Sequence, residues 1–269
     1  MMFRAIHSLS CQTQIFPMNI VNGLKNLAMW HPVKIKIWMP AYAGMTFFCL
    51  LTSTPAFATN VQEVKSKSGI TAWLVEDHSQ PLVSVNIGFR NSGTAYDPNG
   101  KDGRTDMLSS MLMEGAGNMT SEDFAKALEN SAIRLSFSAD TDNFYAGLNA
   151  LSEHKEKAFS YLSLALTQPR FDDSALARIK RQTLLAIKQQ QEKPYYRLSR
   201  AWKERIFSNH PYSKEAIGTE KTVSNLSKKD LQNFVKNYLT RENIIVSVAG
   251  DVTPSELAEL LDKNLKNLP

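Results

Sequence analysis

The sequence predicts an α+β domain, with a mixed and mainly antiparallel sheet and helices packed on one face. β-prone runs open the folded part, helical periodicity fills its middle, and one apolar run, 244–249, returns near the end. Strands segregated from helices in this way are typical of α+β domains. The composition, 43% hydrophobic and 9% aromatic, excludes a disordered, collagen-like or coiled-coil chain.

The strands are predicted from β-prone runs that turn residues separate. Ser68 and Gly69 predict a hairpin between the first two runs, and 140–142 predict a turn between two later ones. Residues 82–90 alternate apolar and polar side chains, as a strand buried on one face does. The expected strands are 61–67, 70–76, 82–90, 133–139, 144–148 and 244–249.

The helices are predicted from apolar residues spaced three to four apart. Gly115 is expected to stop the helix 104–114. Thr120 should cap the next helix, in a capping box with Asp123. Pro194 should end a long helix, because proline cannot continue one. The other expected helices are 154–167, 174–191, 195–207, 226–239 and 254–265.

Residues 1–58 predict a secretory leader. Ala56-Phe57-Ala58 forms a small-residue cleavage site, the apolar run 45–51 precedes it, and Lys34 and Lys36 lie further upstream. We expect export and cleavage after Ala58, which leaves 59–269 in the periplasm without a stable membrane span. A membrane anchor is the alternative, but a span needs roughly 20 apolar residues. Residues 1–38 are long for a leader, and a start codon assigned too early explains them.

Charge and cysteine content exclude several classes of function. The leader carries four basic residues and no acidic one, so the rest of the chain holds 27 basic and 26 acidic residues. A nucleic-acid binder should carry its basic surplus on the folded domain, and this chain does not. Cys11 and Cys49 both lie in the leader. The folded part therefore has no disulfide framework, cysteine-based zinc site or cysteine nucleophile.

Several strings, in order, resemble the N-terminal domain of the pitrilysin/insulinase-type zinc peptidases, the inverzincins, which include the mitochondrial processing peptidase. The matching strings are 70–76 with 82–90 and Gly93, 103–115, 133–147, Asn-His-Pro-Tyr at 209–212 with Gly218, 226–239 and 244–252. The resemblance covers 59–269. It implies one half of a two-domain unit, with an opening hairpin at 70–90, and the homologous C-terminal half is expected to be absent.

The zinc chemistry of this family requires H-x-x-E-H on a helix. The two histidines hold Zn²⁺, the glutamate acts as general base on zinc-bound water, and a glutamate on a later helix completes the site. The matching pentapeptide here is Asp106-Met107-Leu108-Ser109-Ser110. The later ligand falls at Leu185 or Ala186.

These replacements predict a chain with neither metal nor cofactor. One carboxylate and a serine hydroxyl do not hold zinc, and serine is no base near neutral pH. A nucleophile pair of Asp106 with Ser109 or Ser110 is an alternative, but the sequence places no histidine or lysine to activate either serine. The histidines at 78, in the expected hairpin turn, at 154 and at 210 are expected to be solvated or hydrogen-bonded structural residues.

The resemblance also implies a site for an extended peptide. In active members such a peptide adds to an exposed edge strand beside the zinc helix, by main-chain hydrogen bonds. The corresponding strand is 133–139. Leu135 and Phe137 should face the core, and Arg134 and Ser136 the other side. The hydrogen bonds of the strand edge would remain available.

The favoured function is a non-catalytic, zinc-free peptidase-like subunit in the periplasm. It would complete the chamber of a zinc-bearing partner, or of the missing C-terminal half, and help to hold peptide substrate. This hypothesis predicts an uncovered apolar patch. The alternatives are a stand-alone peptide-binding protein, a truncated remnant of a peptidase and, less favoured, an active zinc peptidase. The basic residues of 174–191 are expected to form a solvated face, with binding of acidic peptide as the alternative.

Overall fold

A computed structural model of the chain describes residues 60–269. Its centre is a six-stranded sheet in the order β1-β2-β6-β3-β5-β4. Only β2 and β6 run parallel, so the sheet is mixed and mainly antiparallel, as predicted. The strands are β1 (Val61–Lys65), β2 (Thr71–Glu76), β3 (Leu82–Phe89), β4 (Arg134–Ala139), β5 (Phe144–Leu151) and β6 (Ile244–Gly250).

The helices follow the predicted order with one addition. They are α1 (Arg104–Met111), α2 (Ser121–Glu129), α3 (Lys155–Thr167), α4 (Asp173–Gln191), α5 (Pro194–Ile206), α6 (Glu220–Ser224), α7 (Lys228–Tyr238) and α8 (Pro254–Asn264). The sequence reading missed α6, which has only five residues and too few turns for a periodic pattern. Pro194 does not end α4, which stops at Gln191, but opens α5, where its missing N–H costs nothing.

One face of the sheet is buried and the other is exposed. Along β3 the side chains of Val83, Val85 and Ile87 are buried, whereas those of Ser84 and Asn86 are exposed. The helices cover the buried face. Helix α1 packs beside β4, α3 beside β5, and α8 beside β1. This one-sided arrangement confirms the predicted fold class.

The expected hairpin between the second and third strands is wrong. Strand β6 lies between β2 and β3, parallel to β2 and antiparallel to β3. His78 therefore lies in a loop that crosses over β6 rather than in a hairpin turn. The pairing joins residues about 170 positions apart in the chain (Val83 with Gly250), which no local pattern reveals. The hairpin of β1 and β2 around Ser68 and Gly69 is confirmed.

The N-terminus of α2 is capped as expected, but by a simpler arrangement. The Oγ1 atom of Thr120 accepts the Asp123 N–H at 3.2 Å. The carboxylate of Asp123 accepts a hydrogen bond from the Thr120 hydroxyl at 2.7 Å, and not from the Thr120 N–H. The cap is therefore confirmed, whereas the reciprocal capping box is not formed.

The predicted leader lies outside the described residues. Among residues 60–269, no helix combines the length and the apolar content that a bilayer crossing needs.

Candidate functional site

Helix α1, which carries the motif positions, is fixed in place by the buried carboxylate of Asp97. Its Oδ2 atom accepts the N–H groups of Gly103 and Thr105 at 3.1 and 3.3 Å, and Oδ1 accepts the Thr105 hydroxyl at 2.7 Å. Gly103 has a φ of 89°, and a Cβ there would lie 2.5 Å from the Ile217 carbonyl oxygen. Only glycine fits this close approach.

Arg104 holds the same carboxylate from the helix side. Its Nε lies 3.1 Å from Asp97 Oδ1, and both side chains are almost fully buried. The guanidinium lies 4.8 Å from the ring centre of Phe234 and 5.1 Å from that of Tyr238. The first turn of α1 is therefore a hydrogen-bonded and cation–π network that holds the helix against α7.

The first motif position, Asp106, is half-buried. Burial raises the pKa of its carboxyl, and the neighbouring Asp97 carboxylate raises it further. One carboxylate, with serines at the other two motif positions, does not hold a zinc ion. Asp106 therefore occupies a histidine position of the family motif without replacing its chemistry.

The two serines of the motif are ordinary helix residues. The Ser109 hydroxyl donates to the Asp106 backbone carbonyl at 2.7 Å, a local bond within the helix. Ser110 is exposed. Neither serine is hydrogen-bonded to a histidine anywhere in the range 60–269. A nucleophile with no base beside it is not activated.

The three histidines that the structure describes have other partners. His78 Nδ1 lies 2.6 Å from Asp251 Oδ1, and its Nε2 lies 3.0 Å from Glu76 Oε1. His154 stands directly before α3, and its Nε2 lies 3.7 Å from Glu153 Oε1. His210 accepts the Tyr212 N–H at 3.2 Å. Each has the structural or partly solvated surroundings that the sequence predicts.

Helix α4 packs against α1, as expected of the helix that would carry the last ligand. Leu185 is 56% exposed on it and Ala186 is half-buried. Neither side chain has a donor atom for a metal ion. In the described part of the chain no group of three or more His, Cys, Asp or Glu side chains is arranged to hold a metal. The residues at the motif therefore do not fit a zinc ion.

Two basic residues of α4 connect elements of the fold. Arg178 forms an ion pair with Glu114, just beyond α1, and that carboxylate also accepts the Ser121 hydroxyl at 2.6 Å. Lys180 donates to the Ser224 carbonyl oxygen at 3.1 Å, at the end of α6. Two residues of the predicted solvated face thus join α4 to its neighbours, whereas Arg181 and Lys188 are exposed as predicted.

Strand β4, the expected peptide site, lies at an edge of the sheet beside α1. Leu135 is buried, Phe137 packs partly buried against the core, and Arg134 and Ser136 are exposed, as predicted. The position of the strand and its division into two faces are confirmed, whereas peptide binding stays a prediction.

The chain matches the family model described as insulinase (peptidase family M16) over residues 72–220, more than half of its length. The chain belongs to peptidase family M16. Residues 225–269 of this M16 chain match a second model, described as the peptidase M16 inactive domain.

The M16 chain is similar to two curated relatives and to one solved structure of the family. A non-peptidase homolog YmxG from Helicobacter pylori is 27% identical over 194 residues, covering 72% of this chain and 45% of the relative. The mitochondrial-processing peptidase subunit beta of Neurospora crassa is 22% identical over 224 residues, covering 81% and 46%. A peptidase M16 inactive domain from Pseudomonas fluorescens shares the fold, with a TM-score of 0.74 and 24% identity, covering 78% and 51%. The chain spans about half the length of the relatives it matches.

Sequence reasoning did not locate an exposed apolar face on α5 of the M16 chain. Tyr195, Leu198, Trp202 and Ile206 lie on one face of α5, which we call the α5 stripe, and they are between 50% and 81% exposed. No residue of α5 is buried. The apolar residues of the stripe are spaced three or four positions apart in the sequence. Such a pattern ordinarily indicates a helix face that packs against the core.

Helix α5 is held mainly through polar and terminal contacts. Tyr196 donates its hydroxyl to Glu215 at 2.6 Å, and burial together with this carboxylate raises the pKa of Tyr196 to about 12. At the end of the helix, Phe207 packs on His210 and Tyr212, with ring centres 6.2 and 5.6 Å apart. These contacts leave the α5 stripe uncovered in the described chain.

Proposed function

We propose that this M16 chain is a non-catalytic, zinc-free subunit of the periplasm. It would complete the peptide chamber of a zinc-bearing M16 partner and help to hold the substrate. The observation that carries the proposal is the state of α1. Its framework is complete, with Asp97, Arg104 and the buried Met107 and Leu108 in place, whereas the metal ligands and the base of the motif are replaced.

The comparisons support a non-catalytic member of the family. One relative carries the name non-peptidase homolog, and part of the chain matches a model named for an inactive domain. Another relative is named as a subunit of a processing peptidase. The subunit name of that relative supports pairing of this chain with a second M16 domain. The predicted leader, with its expected cleavage after Ala58, supports export to the periplasm.

The uncovered α5 stripe also supports a subunit. The subunit hypothesis required an apolar patch, and soluble monomers rarely expose large contiguous apolar surface. A truncated remnant requires no such surface, and it would not need the closed polar network around Asp97.

The test is purification of the chain, tagged at its C-terminus in its native cell, from the periplasmic fraction. Mass spectrometry then identifies the proteins that accompany it. We expect a stoichiometric M16 partner that carries an intact H-x-x-E-H motif. Recovery of the chain alone, or with traces of unrelated proteins, would remove the subunit proposal.

A stand-alone peptide-binding protein is the second candidate, and the edge position of β4 beside α1 favours it. This function needs no partner. It requires saturable binding of an unstructured peptide by the chain alone, with protection of the β4 amides from hydrogen exchange. If the chain alone binds no such peptide, this candidate is removed.

A further inference from the structure

The α5 stripe differs from the other exposed apolar residues because it belongs to a helix that has no buried residue. Outside α5, exposed apolar side chains such as those of Val61 and Trp73 lie on strands whose other face is anchored in the core. On α5, four exposed apolar side chains follow one another along a single helix face. A contiguous exposed apolar group of this kind marks a contact surface.

The area of this surface is about three quarters of what a specific interface buries on one partner. A large aromatic side chain presents 150–250 Å², so the stripe and Phe207 leave on the order of 600 Å² of apolar surface exposed. A specific complex buries about 800 Å² on each partner. The apolar side chains and a modest polar rim around them therefore suffice for a stable interface.

The charged residues of α5 indicate which kind of molecule could bind the α5 stripe. By helical spacing, Lys203 and Arg205 flank the stripe, whereas Arg197, Arg200 and Glu204 lie on the other side of the helix. Glu204 is paired with Arg200 at 2.9 Å. A second copy of the chain would bring a basic rim against a basic rim, and like charges across an interface are unfavourable. The occupant should therefore combine an apolar groove with an acidic rim.

We propose that the α5 stripe is the docking surface for the zinc-bearing M16 partner, whose contacting face is an apolar groove flanked by acidic side chains. The inference rests on the proposed function and names the surface by which the two chains join. Trp202 lies inside the stripe and is its anchor, since buried tryptophans dominate protein interfaces. Arg205 supplies the basic rim.

The experiment measures the affinity of the full chain for the H-x-x-E-H chain found by the tagged purification. Biolayer interferometry compares wild type with W202E, L198E and R205E. The matched control is W73E, which places the same substitution at a half-exposed tryptophan of β2, on the sheet. Thermal unfolding of each variant verifies that it is folded.

We expect W202E and L198E to weaken binding at least about tenfold, as at an interface hot spot, while W73E changes it by less than about twofold. R205E should weaken binding by a smaller factor that shrinks as salt is raised. Unchanged affinity of folded W202E and L198E would overturn the docking assignment and leave the proposed function standing. Absence of any complex with wild type would overturn both.

Two other results would give the stripe a different occupant and overturn the proposal. The first is a dimer of the wild-type chain in sedimentation analysis that W202E dissociates, which would make the occupant a second copy. The second is binding to vesicles of phosphatidylglycerol and phosphatidylcholine that W202E abolishes, with the partner's affinity unaffected. A basic amphipathic helix with tryptophan and tyrosine has the composition for such a surface.

Discussion

Helices α1 and α5 differ in burial: α1 is packed into the core, whereas α5 lies on the surface. Five of the eight residues of α1 are buried, including Met107 and Leu108, and a buried ion pair fixes its first turn. None of the thirteen residues of α5 is buried, although four apolar side chains lie on one of its faces. The helix that bears the reaction chemistry in the family keeps its packing without that chemistry. The helix beyond α4 presents an apolar surface. The difference favours a function that depends on contact with another molecule.

The largest effect that separates the two helices should come from the cap of α1. Asp97→Ala would leave Arg104 buried without a counter-charge, and breaking such a pair costs about 3–5 kcal/mol of unfolding free energy. Asp106→Asn, one turn further along, should change stability by no more than about 1 kcal/mol, because burial already disfavours its charged form. Urea denaturation measures both. Equal effects of the two substitutions would contradict the role assigned to Asp97.

A second pair of variants compares the two helices with the same substitution. Leu108→Ala on α1 should cost about 2–5 kcal/mol, since this side chain is fully buried. Leu198→Ala on α5 should cost no more than about 0.5 kcal/mol, since its side chain is largely exposed. Denaturant unfolding of the isolated chain measures the loss of unfolding free energy for both variants. A large loss at Leu198 would mean that α5 is packed within the single chain.

The smallest expected effect concerns His78, which lies far from both helices in the chain. Its hydrogen bonds to Asp251 and Glu76 raise the pKa of the imidazole. A raised pKa stabilises the fold fully below about pH 6.5, the unfolded value, and this contribution disappears as pH rises through the folded value. Wild type should therefore exceed His78→Gln in melting temperature at pH 5.5 to 6 by more than at pH 8.5. A difference that is constant or grows with pH would contradict this assignment.

The local features of the fold could be predicted from the sequence because they depend on residues that are close together in the chain. The six strands, seven of the eight helices and the two faces of β4 follow from periodicity and turn residues. The place of β6 could not be predicted in that way. Its pairing with Val83 and Ala72 joins distant parts of the chain, and topology depends on long-range packing rather than on local pattern.

The replacement of the metal ligands at the candidate site could be predicted from the sequence. The residues that fix α1 in place could not. The family motif located Asp106, Ser109 and Ser110 without a structure. The Asp97 carboxylate that caps α1 was not predictable, because it lies in a loop and meets the helix only after folding. The exposure of Trp202 was equally hidden, since a stripe at helical spacing has the same sequence pattern whether or not another element covers it.

We propose that this M16 chain contributes contact with a partner and no metal chemistry. The most direct test is the zinc content of the full chain, purified from its native cell and freed of partners, by inductively coupled plasma mass spectrometry. The replaced donors at Asp106, Ser109, Ser110 and the α4 position predict well under one zinc per chain. One zinc bound stoichiometrically to the isolated chain would contradict the account and make it a metal-binding member of the family.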